Sequence, residues 1–390
     1  MNFNLTEDQQ MFADTAKQFS DSELLPNSAK WDQEHIFPKE VIAQAGELGF
    51  CALYTPEDAG GLNLSRLDSS IIFEQLAMGC TATTAMMTIH NMATWMVATW
   101  GQESVKDAWC PSLVTGEKLA SYCLTEPGSG SDAASLRTSA KKVGDPSIGE
   151  HYIVNGSKVF ISGAGSTDIL VVMVRTGEAG AKGISALAIP ADLDGIIYGK
   201  AEEKLGWNAQ PTRQITFDNV KVPVENLLGN EGEGFSMAMK GLDGGRINIA
   251  TCSIGTAQQA LNTAMEYMQE REQFGKPIAA FQGLQFKLAD MATELVAARQ
   301  LVRLAAFKLD QNDPEKTAYC AMAKRFATDI GFQVCDAALQ IHGGYGYIKE
   351  YPLERHFRDV RVHQILEGTN EIMRVIIARR LLTEGAGQLL

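Results

Sequence analysis

No CxxC pair, no HxxxH and no HExxH occurs in this chain, so no metal site is readable from spacing. The seven cysteines (Cys51, Cys80, Cys110, Cys123, Cys252, Cys320, Cys335) are scattered and odd in number. That fits free thiols in a reducing compartment rather than a disulfide framework. Long hydrophobic runs are missing too: Ile169–Val174 is among the longest and falls far short of a bilayer span. Met1–Gln10 has neither a basic region nor an apolar core, which argues against a signal peptide, and no Arg-rich transit peptide is visible. A cytoplasmic protein, or a mature form already trimmed, without membrane association is the expectation. Positive charge is scarce, with 34 Lys and Arg against 47 Asp and Glu, and the net charge of -13 argues against nucleic acid as a partner. Low-complexity tracts and internal repeats are absent as well.

What is present is a chain of 390 residues, long enough for two or three domains. Its character changes twice. Residues 1–117 read as helical: Thr6 with Gln9 makes a capping box, Pro38 opens a helix that closes at Gly49, and periodic runs cover 67–78 and 81–100. Met86, Met87, Met92, Trp95, Met96 and Trp100 form a stripe suited to core packing or to a cavity wall. Residues 118–230 alternate with period two. Asn155-Gly156 between two alternating runs predicts a hairpin turn, with further strands at 169–175, 184–189 and 214–217. Residues 231–390 return to helix, in runs over 235–271, 282–311, 314–342 and 369–382 that suit an antiparallel four-helix bundle. The expected fold is multidomain α+β: a helical N-terminal domain, a middle antiparallel β-barrel-like domain and a C-terminal four-helix bundle.

The most informative stretch is Val362–Arg374. Glu367 follows the apolar pair Ile365-Leu366 and precedes Gly368, which permits a sharp turn, and Thr369, which reads as an N-cap. A carboxylate held there by apolar neighbours is poorly hydrated, and its pKa rises toward the range of a general base. A solvated loop Glu is the alternative. Tyr122–Asp132 supplies Gly128, Gly130 and several hydroxyls, a loop able to cradle a ligand's polar edges or to be a plain surface turn. Its partial likeness to a dinucleotide fingerprint fails, because hairpin-like strands follow where a helix is needed. Gly241-Leu-Asp-Gly-Gly-Arg246 interrupts a helical run at about 1 kcal/mol per glycine, a cost explained by close approach to the backbone or by a kink. Asp243 and Arg246, one turn apart, can pair with each other. Arg271 suits a helix C-terminus, with Gly275 as its cap, and Gln340–Gly346 is a second glycine-rich helix end.

Together these runs resemble the acyl-CoA dehydrogenase family over essentially the whole chain. The resemblance is carried by Ile89-His-Asn-Met92, Gly206-Trp-Asn-Ala-Gln-Pro-Thr-Arg213, Gly245-Arg-Ile-Asn-Ile-Ala250 and His363–Arg374. It implies FAD as cofactor, an acyl-CoA substrate, electron-transfer flavoprotein as electron acceptor and a homotetramer. The nearest branch oxidises the short branched isobutyryl-CoA to methacrylyl-CoA in valine breakdown. 2-Methylbutyryl-CoA or a short straight-chain acyl-CoA is the close alternative; an oxidase or monooxygenase of the same fold and a non-catalytic acyl-CoA binder are more distant ones.

By the same resemblance Glu367 is the base that takes the substrate's α-proton while a hydride leaves the β-carbon. Some relatives place the base just before the Arg of the interrupted helix; Gly245 stands there and cannot serve. Tyr122, Leu124, Thr125, Gly130 and Ser131 match the flavin loop, and Ser131 also lies near the acyl-CoA. Phe160, Ile161 and Ser162 match the strand over the flavin edge. Arg271, Gln273, Phe274, Phe281, Gln282, Gln340, Gly343 and Gly344 match contacts to a neighbouring subunit's FAD, and Thr369 and Glu371 match further cofactor contacts. Asp243, Arg246 and Arg379 match substrate-side residues.

Overall fold

The computed structural model describes residues 4–145 and 149–385. Met1 to Phe3, on which part of the N-terminal reading rests, lie outside them. Helix α1 (Glu7–Phe19) starts where the capping box demands: Thr6 Oγ1 accepts the Gln9 N–H at 3.2 Å, and Gln9 Oε1 accepts the Thr6 N–H at 3.1 Å. Five more helices follow: α2 (Ser28–Glu34), α3 (Lys39–Glu47), α4 (Arg66–Gly79), α5 (Thr81–Trp100) and α6 (Glu103–Val114). Met86, Met87, Met92 and Met96 of α5 are buried in the core. The Ile89–Met92 run is structural. His90 Nδ1 accepts the Ala120 N–H at 3.0 Å, so Nε2 carries the proton and donates to the Leu113 carbonyl at 2.9 Å. Asn91 bonds the backbone of Phe50 and Leu53, tying α5 to the loop after α3.

The middle of the chain forms strands β1 (Ala120–Cys123), β2 (Ser139–Asp145), β3 (Gly149–Ser162), β4 (Ile169–Arg175), β5 (Ile184–Pro190), β6 (Ile196–Tyr198), β7 (Thr212–Pro223) and β8 (Leu227–Leu228). Their order is β6-β7-β3-β2-β4-β5-β8, with β1 added beside β4. Most neighbours are antiparallel, but β1 pairs β4 in parallel and β2 touches β4 in parallel through Ser139 and Arg175. The hairpin expected at Asn155-Gly156 does not form. Strand β3 runs straight through, and the pair marks a β-bulge against β7. Gly156 has φ +145°, and a Cβ there would lie 2.6 Å from the Thr138 Cα, so the glycine serves close strand approach. Asn155 Oδ1 accepts the Asn219 N–H at 2.9 Å, which stitches the bulge to β7.

Helix α7 (Gly234–Glu270) is continuous through Gly241–Arg246, against the expected interruption. It is followed by the hairpin strands β9 (Glu272–Gln273) and β10 (Lys276–Pro277), then α8 (Gln282–Asp310), α9 (Lys316–His342), α10 (Leu353–Arg361) and α11 (Asn370–Glu384). Gly275 is not the cap of α7. Phe274 and Gly275, at φ 55° and 77°, form the two-residue turn of the β9–β10 hairpin. Arg271 caps α7 instead. Alanines dominate the core shared by α7, α8 and α9, including Ala250, Ala257, Ala264, Ala298, Ala305 and Ala327. Small side chains let these helices approach closely. No described helix is long and apolar enough to cross a membrane.

Candidate functional site

Helix α10 ends at Arg361 and a single turn, Val362–Gln364, leads into Glu367. Glu367 stands in the left-handed region at φ 53°, followed by Gly368 at φ 91°. A non-glycine residue there costs about 1–3 kcal/mol and persists only where its surroundings hold it. Thr369 then caps α11, its hydroxyl accepting the Ile372 N–H at 3.3 Å. Lys324 Nζ donates to the Gly368 carbonyl at 2.8 Å, gripping the turn from α9.

This turn drives the Glu367 carboxylate against α7. The glycines of that helix are the reason it fits. A Cβ on Gly245 would lie 1.9 Å from Glu367 Oε2, and a Cβ on Gly244 would lie 2.4 Å from Arg66 Nη1. So the expected close approach to this glycine run is real, and what approaches is the acid and a guanidinium. The residue as a whole is partly exposed, but Oε2 is buried with no hydrogen-bond partner among the described residues. Burial pushes the Glu367 carboxyl up to about 7, against the opposing pull of Lys324 and Arg246. Below that pH the acid holds its proton; above it the carboxylate is free to accept one. We therefore expect kcat/KM of the free enzyme to rise with pH through an inflection near 7. A pH–rate series checks this; an inflection at the ordinary 4.5 would mean a hydrated carboxylate.

Other buried polar atoms around α7 share the lack of a partner: Arg66 Nη1, Tyr122 Oη and Arg246 Nε. Orphaned donors and acceptors gathered beside one acid are what a polar ligand would satisfy. Asp243 and Arg246 do pair, at 2.7 Å, and Thr317 Oγ1 donates to the other Asp243 oxygen at 2.7 Å. Arg66 lies over the Tyr54 ring, 3.4 Å from its centroid, and Tyr54 Oη accepts from Asn248 Nδ2 at 3.2 Å. Tyr54, Arg66 and Lys324 were invisible to motif reading, since each reaches the site from a distant element. The one available signal was Lys324 itself, a lysine on the otherwise apolar stripe of α9.

The loop after β1 and the end of β3 are brought together. Val159 N–H donates to the Thr125 carbonyl at 2.9 Å, and Ser121 Oγ donates to the Ser162 carbonyl at 2.6 Å. Lys158, 0% exposed, pairs with Glu126 at 2.8 Å and donates to the Leu124 carbonyl at 3.0 Å. Losing one partner of such a buried pair costs about 3–5 kcal/mol, so the loop is firmly pinned. Gly130 and Ser131 are exposed at its tip, and Phe160 is 69% exposed at φ 57°. Ile161 and Leu124 have their side chains packed in core clusters that include the strands.

A second group lies at the far end of α7, about 39 Å along its axis from Gly245 to Arg271 at the usual helical rise. There Arg271, Gln273, Phe274, Phe281, His342, Gly343 and Gly344 line a cavity of about 620 Å³. Phe274 is 92% exposed at its rim. Gln282 and Gln340 are exposed on the flanking helices. Arg379, also exposed, sits two and a half turns into α11, and Glu371 is exposed in its first turn; neither is brought to Glu367 by any described contact.

Three domain families of acyl-CoA dehydrogenases match this chain in order: the N-terminal domain over residues 6–117, the middle domain over 121–220 and the C-terminal domain over 232–382. The chain belongs to the acyl-CoA dehydrogenase family. Among its relatives are the mitochondrial isobutyryl-CoA dehydrogenases of Bos taurus and Dictyostelium discoideum. The first is 52% identical over 98% of this chain and 91% of its own, the second 54% identical over 97% and 90%. Butyryl-CoA dehydrogenase from Megasphaera elsdenii superposes with a TM-score of 0.93 at 40% identity, over 98% of this chain and all of that one.

An acyl-CoA dehydrogenase uses FAD, and the residues here suit it. The pinned loop offers an exposed backbone at Gly128 and Gly130, where even an added Cβ would meet nothing within 4 Å. Tyr122 Oη waits there without a partner, and Phe160 presents an uncovered ring. Bound FAD supplies the acceptor for the hydride that leaves the substrate's β-carbon.

Proposed function

We propose that this acyl-CoA dehydrogenase oxidises a short branched acyl-CoA, isobutyryl-CoA to methacrylyl-CoA, with Glu367 as the base. The observation that carries the chemistry is the Glu367 carboxylate set into the glycine notch of α7, with Oε2 buried and unpartnered among the described residues. The choice of acyl group rests on the identity above 50% to isobutyryl-CoA dehydrogenases across nearly the full chain. Glu367 takes the α-proton, and its backbone N–H donates to the thioester oxygen, where negative charge develops. Closure over substrate excludes water and strengthens that hydrogen bond. Tyr122, Leu124, Thr125, Gly130, Ser131, Phe160 and Ser162 hold the flavin end of the cofactor. Asp243 and Arg246 shape the substrate side.

The cavity at the far end of α7 is read as the seat of a neighbouring subunit's FAD. Its separation from Glu367, about 39 Å along α7, supports this, since a group seated there lies away from this chain's own Glu367. On this reading the protein is a homotetramer, as is typical of the family, acting in valine breakdown and passing electrons to electron-transfer flavoprotein, with domains at 1–117, 118–230 and 231–390.

Steady-state rates on isobutyryl-, 2-methylbutyryl- and butyryl-CoA with an artificial acceptor test the reading. Isobutyryl-CoA should give the highest kcat/KM and should bleach the flavin under anaerobic conditions. 2-Methylbutyryl-CoA carries one methylene more, a difference worth about 1–3 kcal/mol in a pocket, so isobutyryl-CoA should be preferred over it by roughly 10–200-fold. Butyryl-CoA as best substrate would overturn the branch assignment.

A further inference from the structure

Lys324 lies a third of the way along α9, on the stripe that sends Cys320, Ala323 and Ala327 into the bundle core, and it is 0% exposed. Lysines are almost never fully buried unless paired. Yet among the described residues no carboxylate comes within ion-pair distance of this one. Its two hydrogen bonds go to the Gly368 carbonyl, at 2.8 Å, and to Asn370 Oδ1, at 3.0 Å. Both acceptors belong to the segment just after the base. One ammonium thus ties α9 to the turn that carries Glu367 and to the first residue of α11. Asn370 is itself braced, donating to Thr328 Oγ1 at 3.0 Å and Asp329 Oδ1 at 2.8 Å.

We propose that Lys324 is the positioning residue of the base: it holds the Gly368 carbonyl so that Glu367 stays aimed into the Gly244–Gly245 notch, and it supplies the positive charge that faces the carboxylate there. The proposal rests on the reading of Glu367 as the base. Glu367 in the left-handed region is held only by its surroundings, and the Gly368 carbonyl is where Lys324 acts on that turn. The electrostatics agree. Burial pushes Lys324 down to about 7, while the Glu367 charge opposes that fall, and Lys324 in turn opposes the rise of Glu367. Other charges face the pair: among the described residues, Arg66 reaches the notch beside Gly244 with Nη1 unpartnered, and Arg246 keeps an unpartnered Nε. Arg246 on α7 is paired with Asp243. Asp329 on α9 is met by Gln364, Arg325 and Arg374. Glu371 on α11 is exposed and lies 3.7 Å from Arg374. His363, buried between Trp207 and Ser253, is neutral, its pKa pushed down to about 3 by burial.

The test uses the FAD-loaded enzyme with Lys324→Met and Lys324→Gln. Met removes both the grip and the charge; Gln keeps an N–H donor and removes the charge. In Lys324→Met, kcat should fall roughly tenfold or more, with KM changed far less, because a base misplaced by about 1 Å loses rate rather than binding. In both variants the rising limb of kcat/KM should move up by roughly one pH unit, since the cation that favours the carboxylate is gone. A merely structural lysine would lower stability and leave the limb in place. If Lys324→Met does not retain FAD, the limb in Lys324→Gln decides. Wild-type kcat and an unmoved limb in an FAD-loaded variant would overturn the proposal. A wild-type enzyme that turns over no acyl-CoA would instead overturn the reading of the site, so the two failures are distinguishable.

Discussion

Glu367→Gln should abolish turnover while leaving a yellow, folded protein. The amide cannot accept the α-proton, and general-base contributions run to roughly 10²–10⁴-fold, so kcat on the best acyl-CoA should fall about 10³-fold. Stability should hold or rise, because an unpartnered buried carboxylate is replaced by a neutral group of the same shape. FAD content should be unchanged, since the residues proposed for the flavin lie on the loop after β1 and the end of β3. The measurement is a rate assay beside a flavin spectrum and a thermal melt. Retained turnover would remove Glu367 from the base role and would leave the site without a proton acceptor.

Gly245→Ala should separate stability from activity in the opposite sense. Gly245 lies within a regular helix, where alanine is favoured by about 1 kcal/mol. The added methyl, however, would occupy a point 1.9 Å from Glu367 Oε2. The carboxylate is the far end of a flexible side chain, so it swings aside and the helix stays intact. A shift near 1 Å in a catalytic group costs about 10²-fold in rate. The expected variant therefore melts no lower than the wild type and turns over about 10²-fold more slowly. Gly241→Ala is the control, as the nearest atoms to its methyl would be Met92 Sδ at 3.4 Å and Met92 Cγ and Met96 Sδ at 3.6 Å, ordinary contact distances. It should gain the same helix propensity and keep its rate. Equal rates in all three proteins would mean that the notch does not seat the base.

Particular residues show how far local pattern reaches. Thr6 and Thr369 cap helices where expected, because a cap is a bargain among residues three positions apart. Asn155-Gly156 misled, because the same two residues serve a tight turn or a bulge, and only the partner strand decides between them. Gly275 misled for a like reason: its left-handed backbone suits a helix cap and a hairpin turn equally. The Gly241–Arg246 run was read as a break in the helix, since its glycines cost helix stability; packing against α4, α5 and α9 outweighs that cost. The need for something close to those glycines was legible, whereas its identity was not.

The amino-acid sequence alone determined the helix–sheet–helix order and the capped turn at 367–369, because periodicity, capping and glycine turns are settled within a few residues; the role of Glu367 as base came from the family resemblance and not from local pattern. Tertiary structure alone decided that one oxygen of this acid is buried without a partner among the described residues, that Gly244 and Gly245 make room for it and for Arg66, and that Lys324 grips its turn. Those are matters of desolvation and charge proximity, and they depend on groups that the chain supplies from dozens to hundreds of residues away.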